Sequence, residues 1–174
     1  MYSRWAKTGA AILMTGNVMI DRRYKENPRN VVVDDEKDLD ILIRWAAESQ
    51  VDGCSLWAQI SHPGRQSPRS VTSQPVAPSD VAAVNPGVPA FAKPRALTKD
   101  EIQDIIHRFA NTSKIVQKAG FQGVQIHGTN SPRVLCQHLY SCTRLFTKSI
   151  PQLQYKHKNR RIWWLRRKSP KNTF

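Results

Sequence analysis

The chain has 174 residues, with 27 Lys+Arg against 13 Asp+Glu, for a formal charge of +14. Residues 1–128 hold 16 of the basic and all 13 of the acidic residues, a net of +3, whereas residues 129–174 hold 11 basic residues, no acidic one and no glycine. No apolar run approaches the ~18–20 residues that span a membrane, and the N-terminus lacks a signal-peptide layout. Cys54, Cys136 and Cys142 are too few and too scattered for a disulfide framework or a zinc module, so the expected compartment is the reducing cytosol.

Residues 10–14 form a short continuous apolar run, predicting a strand buried on both faces that ends in the turn Thr15-Gly16-Asn17. Asp21 to Asn30 is polar, contains Pro28, and reads as a solvated loop. From Asp35 to Gln50 the period becomes helical, with Leu39, Leu42, Ile43 and Ala46 on one face and acidic residues at the N-terminal end. Gly53 ends that pattern, and Cys54 to Ile60 reads as a second strand running into Ser61-His62-Pro63-Gly64-Arg65. Six prolines between Ser67 and Pro94 leave little room for regular structure, and so long a loop points to function or disorder.

Thr98-Lys99-Asp100-Glu101 has the spacing of a capping box, and the helix behind it carries Ile102, Ile105, Ile106, Phe109 and Val116 on one side. Gly120 is the expected stop, and Phe121 to His127 is a third strand. Asn111-Thr112-Ser113 matches a glycosylation sequon but falls on this helix in a chain without a signal, and is set aside. Strand, helix, strand, loop, helix, strand is the order of an α/β protein with parallel strands. Polar residues follow each strand, where (β/α) barrels and open α/β sheets carry their chemistry. No dinucleotide-binding glycine fingerprint or P-loop follows any strand.

Four blocks carry a resemblance. Trp5 to Arg23 resembles the second-strand region of the Old Yellow Enzyme family, in its NADH:flavin oxidoreductase or NADH oxidase-like branch. Trp57-Ala58-Gln59-Ile60-Ser61-His62-Pro63-Gly64-Arg65-Gln66 resembles the third-strand motif. Pro94 to Thr98 and Gly120 to His127 resemble the start of the third helix and the fourth strand. The resemblance covers residues 2–128 and implies part of a TIM (β/α)8 barrel, about three β/α units, holding FMN at the C-terminal ends of its strands. It implies hydride transfer from NADH or NADPH through the flavin to an activated alkene. On it, Gln59 contacts the polar edge of the flavin, Gly16 and Asn17 lie near the ring, and His127 binds the substrate carbonyl. His62 and Arg65 shape the pocket rim. Each has a blander reading without the motif: a loop hydrogen-bonder for Gln59, a strand-end histidine for His127, and a simple turn for His-Pro-Gly.

After Gly128 the family pattern stops. Read from the second base of each codon, Trp163-Trp164-Leu165 must encode Gly-Gly, and Arg160-Arg161-Ile162 is compatible with Asp-Glu-Tyr. The stretch Ser141 to Gln152 is compatible with Ala-Ala-His-Gly-Tyr-Leu-Leu-Ser-Gln-Phe-Leu-Ser. The Gly128 codon can contain GT, and Tyr140-Ser141 can contain a pyrimidine-AG. The expectation is that residues 129–140 are translated intron and residues 141–174 barrel sequence out of frame, a basic tail that is disordered or poorly folded. The first barrel strand, the second substrate-binding residue, the proton-donating tyrosine and the later strands are then missing from this chain. Weak or absent FMN binding follows. The alternative from another class is nucleic-acid binding through the basic tail, with Trp163 and Trp164 stacking on bases; no module positions that run.

Overall fold

A computed structural model describes residues 1–83 and 91–127, and the backbone of two short segments, 153–155 and 163–165. The expected tail therefore lies, apart from those two segments, outside the described residues, as do Pro86 and Pro89. In chain order the elements are α1 (Tyr2–Ala6), β1 (Ile12–Met19), α2 (Leu39–Ser49), β2 (Ser55–Ser61), a 3-10 turn (Gly64–Gln66), β3 (Val76–Ala77), β4 (Arg95–Ala96), α3 (Lys99–Lys118) and β5 (Gly123–Ile126). The segments β6 (Leu153–Tyr155) and β7 (Trp163–Leu165) pair antiparallel.

The sheet order is β1-β2-β5, with both pairs parallel. Parallel neighbours require crossovers, and α2 and α3 provide them. Strand alternation then sorts the side chains. Val18, Ile20, Leu56, Ala58, Ile60, Val124 and Ile126 form one buried cluster with Leu42, Ala46, Ile106, Phe109 and Val116 of the two helices. Full burial of the Val, Leu, Ile and Phe side chains among them stabilises by about 1.5–3 kcal/mol each, so this layer fixes the strand register. The opposite face of the same strands carries Asn17, Gln59 and Gln125.

Two of the secondary-structure elements depart from the sequence expectation. Gly16-Asn17 is not a turn after the first strand but lies inside it, because β1 runs eight residues. The short helix α1 was not expected; it is held by aromatic contacts, Tyr2 against Trp5 and Trp45 at 5.2 and 5.5 Å, with Trp45 edge-on to Phe121. The proline-rich segment is irregular apart from the two-residue pairing of β3 with β4.

Helix α3 starts as its sequence requires. Thr98 Oγ1 accepts from the Glu101 N–H at 3.2 Å, and the Glu101 carboxylate accepts from the Thr98 N–H at 2.8 Å. Arg95 makes a two-point ion pair to the same carboxylate at 2.6 and 2.8 Å, which holds the Glu101 carboxyl down at about 2. Gly120 ends the turn after the helix with φ +96°, a conformation that favours glycine.

Candidate functional site at the strand ends

The register of β1 against β2 slips by one residue: Met14 faces Trp57, yet Asn17 faces Gln59. That is a β-bulge, and the side chain of Thr15 completes it, because Thr15 Oγ1 accepts the Gln59 N–H at 3.0 Å. The extra residue has a geometric consequence. Without it, Met14 and Asn17 would point to opposite faces; with it, they share one.

Register therefore stacks three rows on the helix-free face. Met14, Trp57 and Gly123 form the first, and Asn17, Gln59 and Gln125 the second. Met19 and Ser61 begin the third, and His127 continues it, one residue past β5, with its N–H donating to the Ile60 carbonyl at 2.9 Å. Gly123 is required where it stands: a Cβ there would lie 2.5 Å from the Trp57 ring. At Gly16 a Cβ would meet nothing within 4 Å, so the backbone of the bulge is open to approach.

The middle row is three carboxamides side by side. Gln59 donates from Nε2 to Gln125 Oε1 at 2.5 Å. Asn17 donates from Nδ2 to Glu26 Oε2 at 2.7 Å, and the hydroxyl of buried Ser61 reaches Glu26 Oε1 at 3.4 Å. Gln59, Asn17 and His127 are thus brought to one face. Gln125 and Glu26 belong to the same cluster and were not singled out from sequence. Two-residue alternation back from His127 points to Gln125; nothing in the sequence marks Glu26, which sits in the segment read as a solvated loop.

That loop is in fact built into the fold. Asp21 is 1% exposed and accepts three contacts from the Arg23 guanidinium at 2.6–3.1 Å, with Arg108 at 3.5 Å. Burial alone would raise the Asp21 carboxyl; the two guanidinium groups outweigh it and hold it below its ordinary range.

His62 and Arg65, expected at a pocket rim, are placed deeper, at 2% and 6% exposure. His62 Nδ1 accepts the Gly64 N–H at 3.1 Å, and the Tyr24 ring lies 5.2 Å away. Its Nε2 is buried with no hydrogen-bond partner among the described residues. Burial pushes the imidazole down to about 4, so it is held neutral. Among the described residues no group of three or more His, Cys, Asp or Glu is placed to hold a metal ion. None of the helices described is long and apolar enough to cross a membrane.

Three parallel strands with helices on one face and polar side chains gathered on the other make a segment of α/β fold that known proteins share. Over 75% of this chain the fold matches morphinone reductase, with a TM-score of 0.67 at 22% identity, covering 38% of that enzyme. It also matches the Old Yellow Enzyme homologue of Zymomonas mobilis over 72% of this chain and 37% of that one, with a TM-score of 0.62 at 26% identity. In sequence, the NADH-dependent flavin oxidoreductase nadA of Aspergillus parasiticus is 35% identical over 153 residues, 84% of this chain and 34% of that protein. The NADH oxidase of Thermoanaerobacter brockii is 31% identical over 132 residues, 74% of this chain and 20% of that one.

The profile of the NADH:flavin oxidoreductase / NADH oxidase family matches residues 1–139, and the chain belongs to that family. Its described part is a partial TIM barrel of three parallel strands and two crossover helices. The chain spans about a third of the length of the first curated relatives it matches, 34% and 37%.

Proposed function

We propose that this chain carries the flavin-facing strands of an FMN-dependent NAD(P)H oxidoreductase of the ene-reductase type. The observation that carries the reading is the row Asn17, Gln59 and Gln125, directly beside His127, on the sheet face opposite to the one that the helices α2 and α3 cover. The residues suit FMN. A flavin ring has a flat face and an edge that both donates and accepts hydrogen bonds, and carboxamides supply both. The open backbone at Gly16 admits a ring close to the strand.

When bound, FMN supplies the two-electron carrier that accepts hydride from NADH or NADPH and delivers it to an activated alkene. The chain's own residues do the rest. Gln59 and Asn17 hold the polar edge of the ring and fix its orientation. An imidazole N–H of His127 donates to the carbonyl oxygen of an α,β-unsaturated substrate, drawing electron density from the alkene as negative charge develops on that oxygen. The test is flavin-fluorescence titration of the chain and its Gln59→Leu and His127→Ala variants with FMN and a phenolic substrate analogue. Loss of FMN affinity in the first variant, and of analogue affinity alone in the second, supports the assignment. Equal behaviour in all three contradicts it.

The proposal extends to the segment after Gly128. Residues 129–140, into which the family match runs as far as residue 139, derive from a retained intron, and residues 141–174 read family-coding sequence one base out of register. The forced Gly-Gly beneath Trp163-Trp164, next to a compatible Asp-Glu-Tyr, supports this. The chain as it stands then binds FMN weakly. Sequencing of the spliced transcript decides it: a message joining the His127 codon to an Ala-Ala-His-Gly-Tyr frame is expected, and retention of the segment as the sole product overturns the idea.

A further inference from the structure

The groups that hold Asn17 assign a role to a residue outside the expected site. A carboxylate has acceptor oxygens only when ionised. Glu26 Oε2 lies 2.7 Å from Asn17 Nδ2, so the polarity of the Asn17 carboxamide is dictated: its NH2 turns toward the loop and its Oδ1 turns away. Glu26 has a partner at each of its two oxygens. Ser61 Oγ reaches its second oxygen at 3.4 Å, and the neighbouring Lys25 carbonyl accepts from Ser67 Oγ at 2.9 Å.

The loop carrying Glu26 is closed by its own bonds. The Asn27 N–H donates to Asn30 Oδ1 at 2.6 Å, the Arg29 N–H to Asn27 Oδ1 at 2.9 Å, and Lys25 Nζ to the Pro28 carbonyl at 2.9 Å. Beyond the loop, Val31 and Val33 bond to Met19 of β1, at 2.8 and 2.9 Å, so the returning chain is tied to the strand it left. A carboxylate on so fixed a support is a geometric device rather than a solvated surface charge.

We propose that Glu26 is a positioning residue that locks the Asn17 carboxamide so that the sheet face presents its oxygen, a hydrogen-bond acceptor, to an N–H of the ligand laid over the Asn17-Gln59-Gln125 row. The ligand half of this rests on the flavin reading above; the lock does not. Replacing Glu26 by Gln removes the constraint, because a carboxamide pairs with either end of another carboxamide. Replacing Asn17 by Asp sets two carboxylates against each other. Making both changes restores one donor against one carboxylate and keeps an acceptor oxygen facing the ligand.

The test uses the full chain. Side-chain amide NMR of Asn17 is recorded in wild type, Glu26→Gln and Glu26→Ala, and Tm is measured for Asn17→Asp and for the double variant N17D/E26Q. The lock predicts one sharp, exchange-protected Asn17 NH2 pair in wild type, loss of that protection in both Glu26 variants, a lowered Tm for Asn17→Asp, and recovery in the double variant. An Asn17 NH2 pair unchanged by both Glu26 variants, or a double variant no more stable than Asn17→Asp, overturns it. FMN is then titrated to millimolar concentration. If no side-chain amide of the row moves, the flavin reading fails while the lock stands or falls on the other measurements. If FMN binds, wild type and N17D/E26Q are expected to bind at least tenfold more tightly than Glu26→Gln, and equal affinities overturn the ligand half.

Discussion

Gln59 of β2 donates from Nε2 to Gln125 Oε1 of β5 at 2.5 Å, directly across the register of two parallel strands. One residue with an expected ligand contact is thereby oriented by another that the family motif does not single out. The bond is half-buried, where a hydrogen bond contributes about 0.5–1.5 kcal/mol. Gln125→Leu is expected to lower unfolding free energy by about 1 kcal/mol and to weaken FMN binding several-fold, while Gln125→Glu, which keeps the acceptor, retains more of both. Urea denaturation and flavin fluorescence check the two effects separately.

The Trp57 ring fills the space beside Gly123, where a Cβ would sit 2.5 Å from it. Gly123→Ala forces the ring or the strand to move, at a cost of about 1–3 kcal/mol. Trp57 is part of the same face, so a shift in tryptophan emission of the folded state is expected to accompany the lowered denaturation midpoint.

Stability is expected to fall on mild acidification, and His62 gives the sign. Folded, its imidazole titrates at about 4; unfolded, it returns to its ordinary 6.5. Between those values the unfolded chain binds a proton that the folded one refuses, so unfolding is favoured as pH falls through that window. The loss is complete near pH 4 and amounts to roughly 3 kcal/mol. Asp21 and Glu101 act further down: their folded carboxyls lie below the ordinary value, so the stability they contribute is present above it and disappears as pH falls through the folded pKa. Midpoints of urea denaturation at several pH values measure this, and His62→Asn is expected to flatten the slope between pH 6.5 and 4.

Thr98→Ala removes one half of the capping box on α3, whose two bonds are 3.2 and 2.8 Å. The expected cost is about 1 kcal/mol, read as a lower Tm. Thr98→Ser is expected to restore most of it.

The parts of the fold that were legible in the sequence are those set by local chemistry. Thr98 and Glu101 announce a helix start because both partners lie within one turn, and Gly120 marks its end because the φ required favours glycine. The positions of Gln59 within the second strand and of His127 just past the third were legible from the apolar runs around them. The bulge at Thr15-Gly16 was not, because Thr15 completes it with the N–H of a residue 44 positions away. For the same reason Asp21 and Glu26 read as loop charges: their partners Arg108, Asn17 and Ser61 are brought to them only by the fold. His62 and Arg65 were seen, but His62 is buried against Tyr24, which only the packing of segment 21–30 brings to it.

One sheet face is the proposed flavin site. Its most direct test is an NMR titration of the chain with FMN, following the side-chain amides of Asn17, Gln59 and Gln125 and the imidazole of His127. The expected result is weak, saturable shifts confined to these residues and their strand neighbours, and lost in Gln59→Leu. Shifts confined to another part of the molecule, or none at millimolar FMN, contradict it.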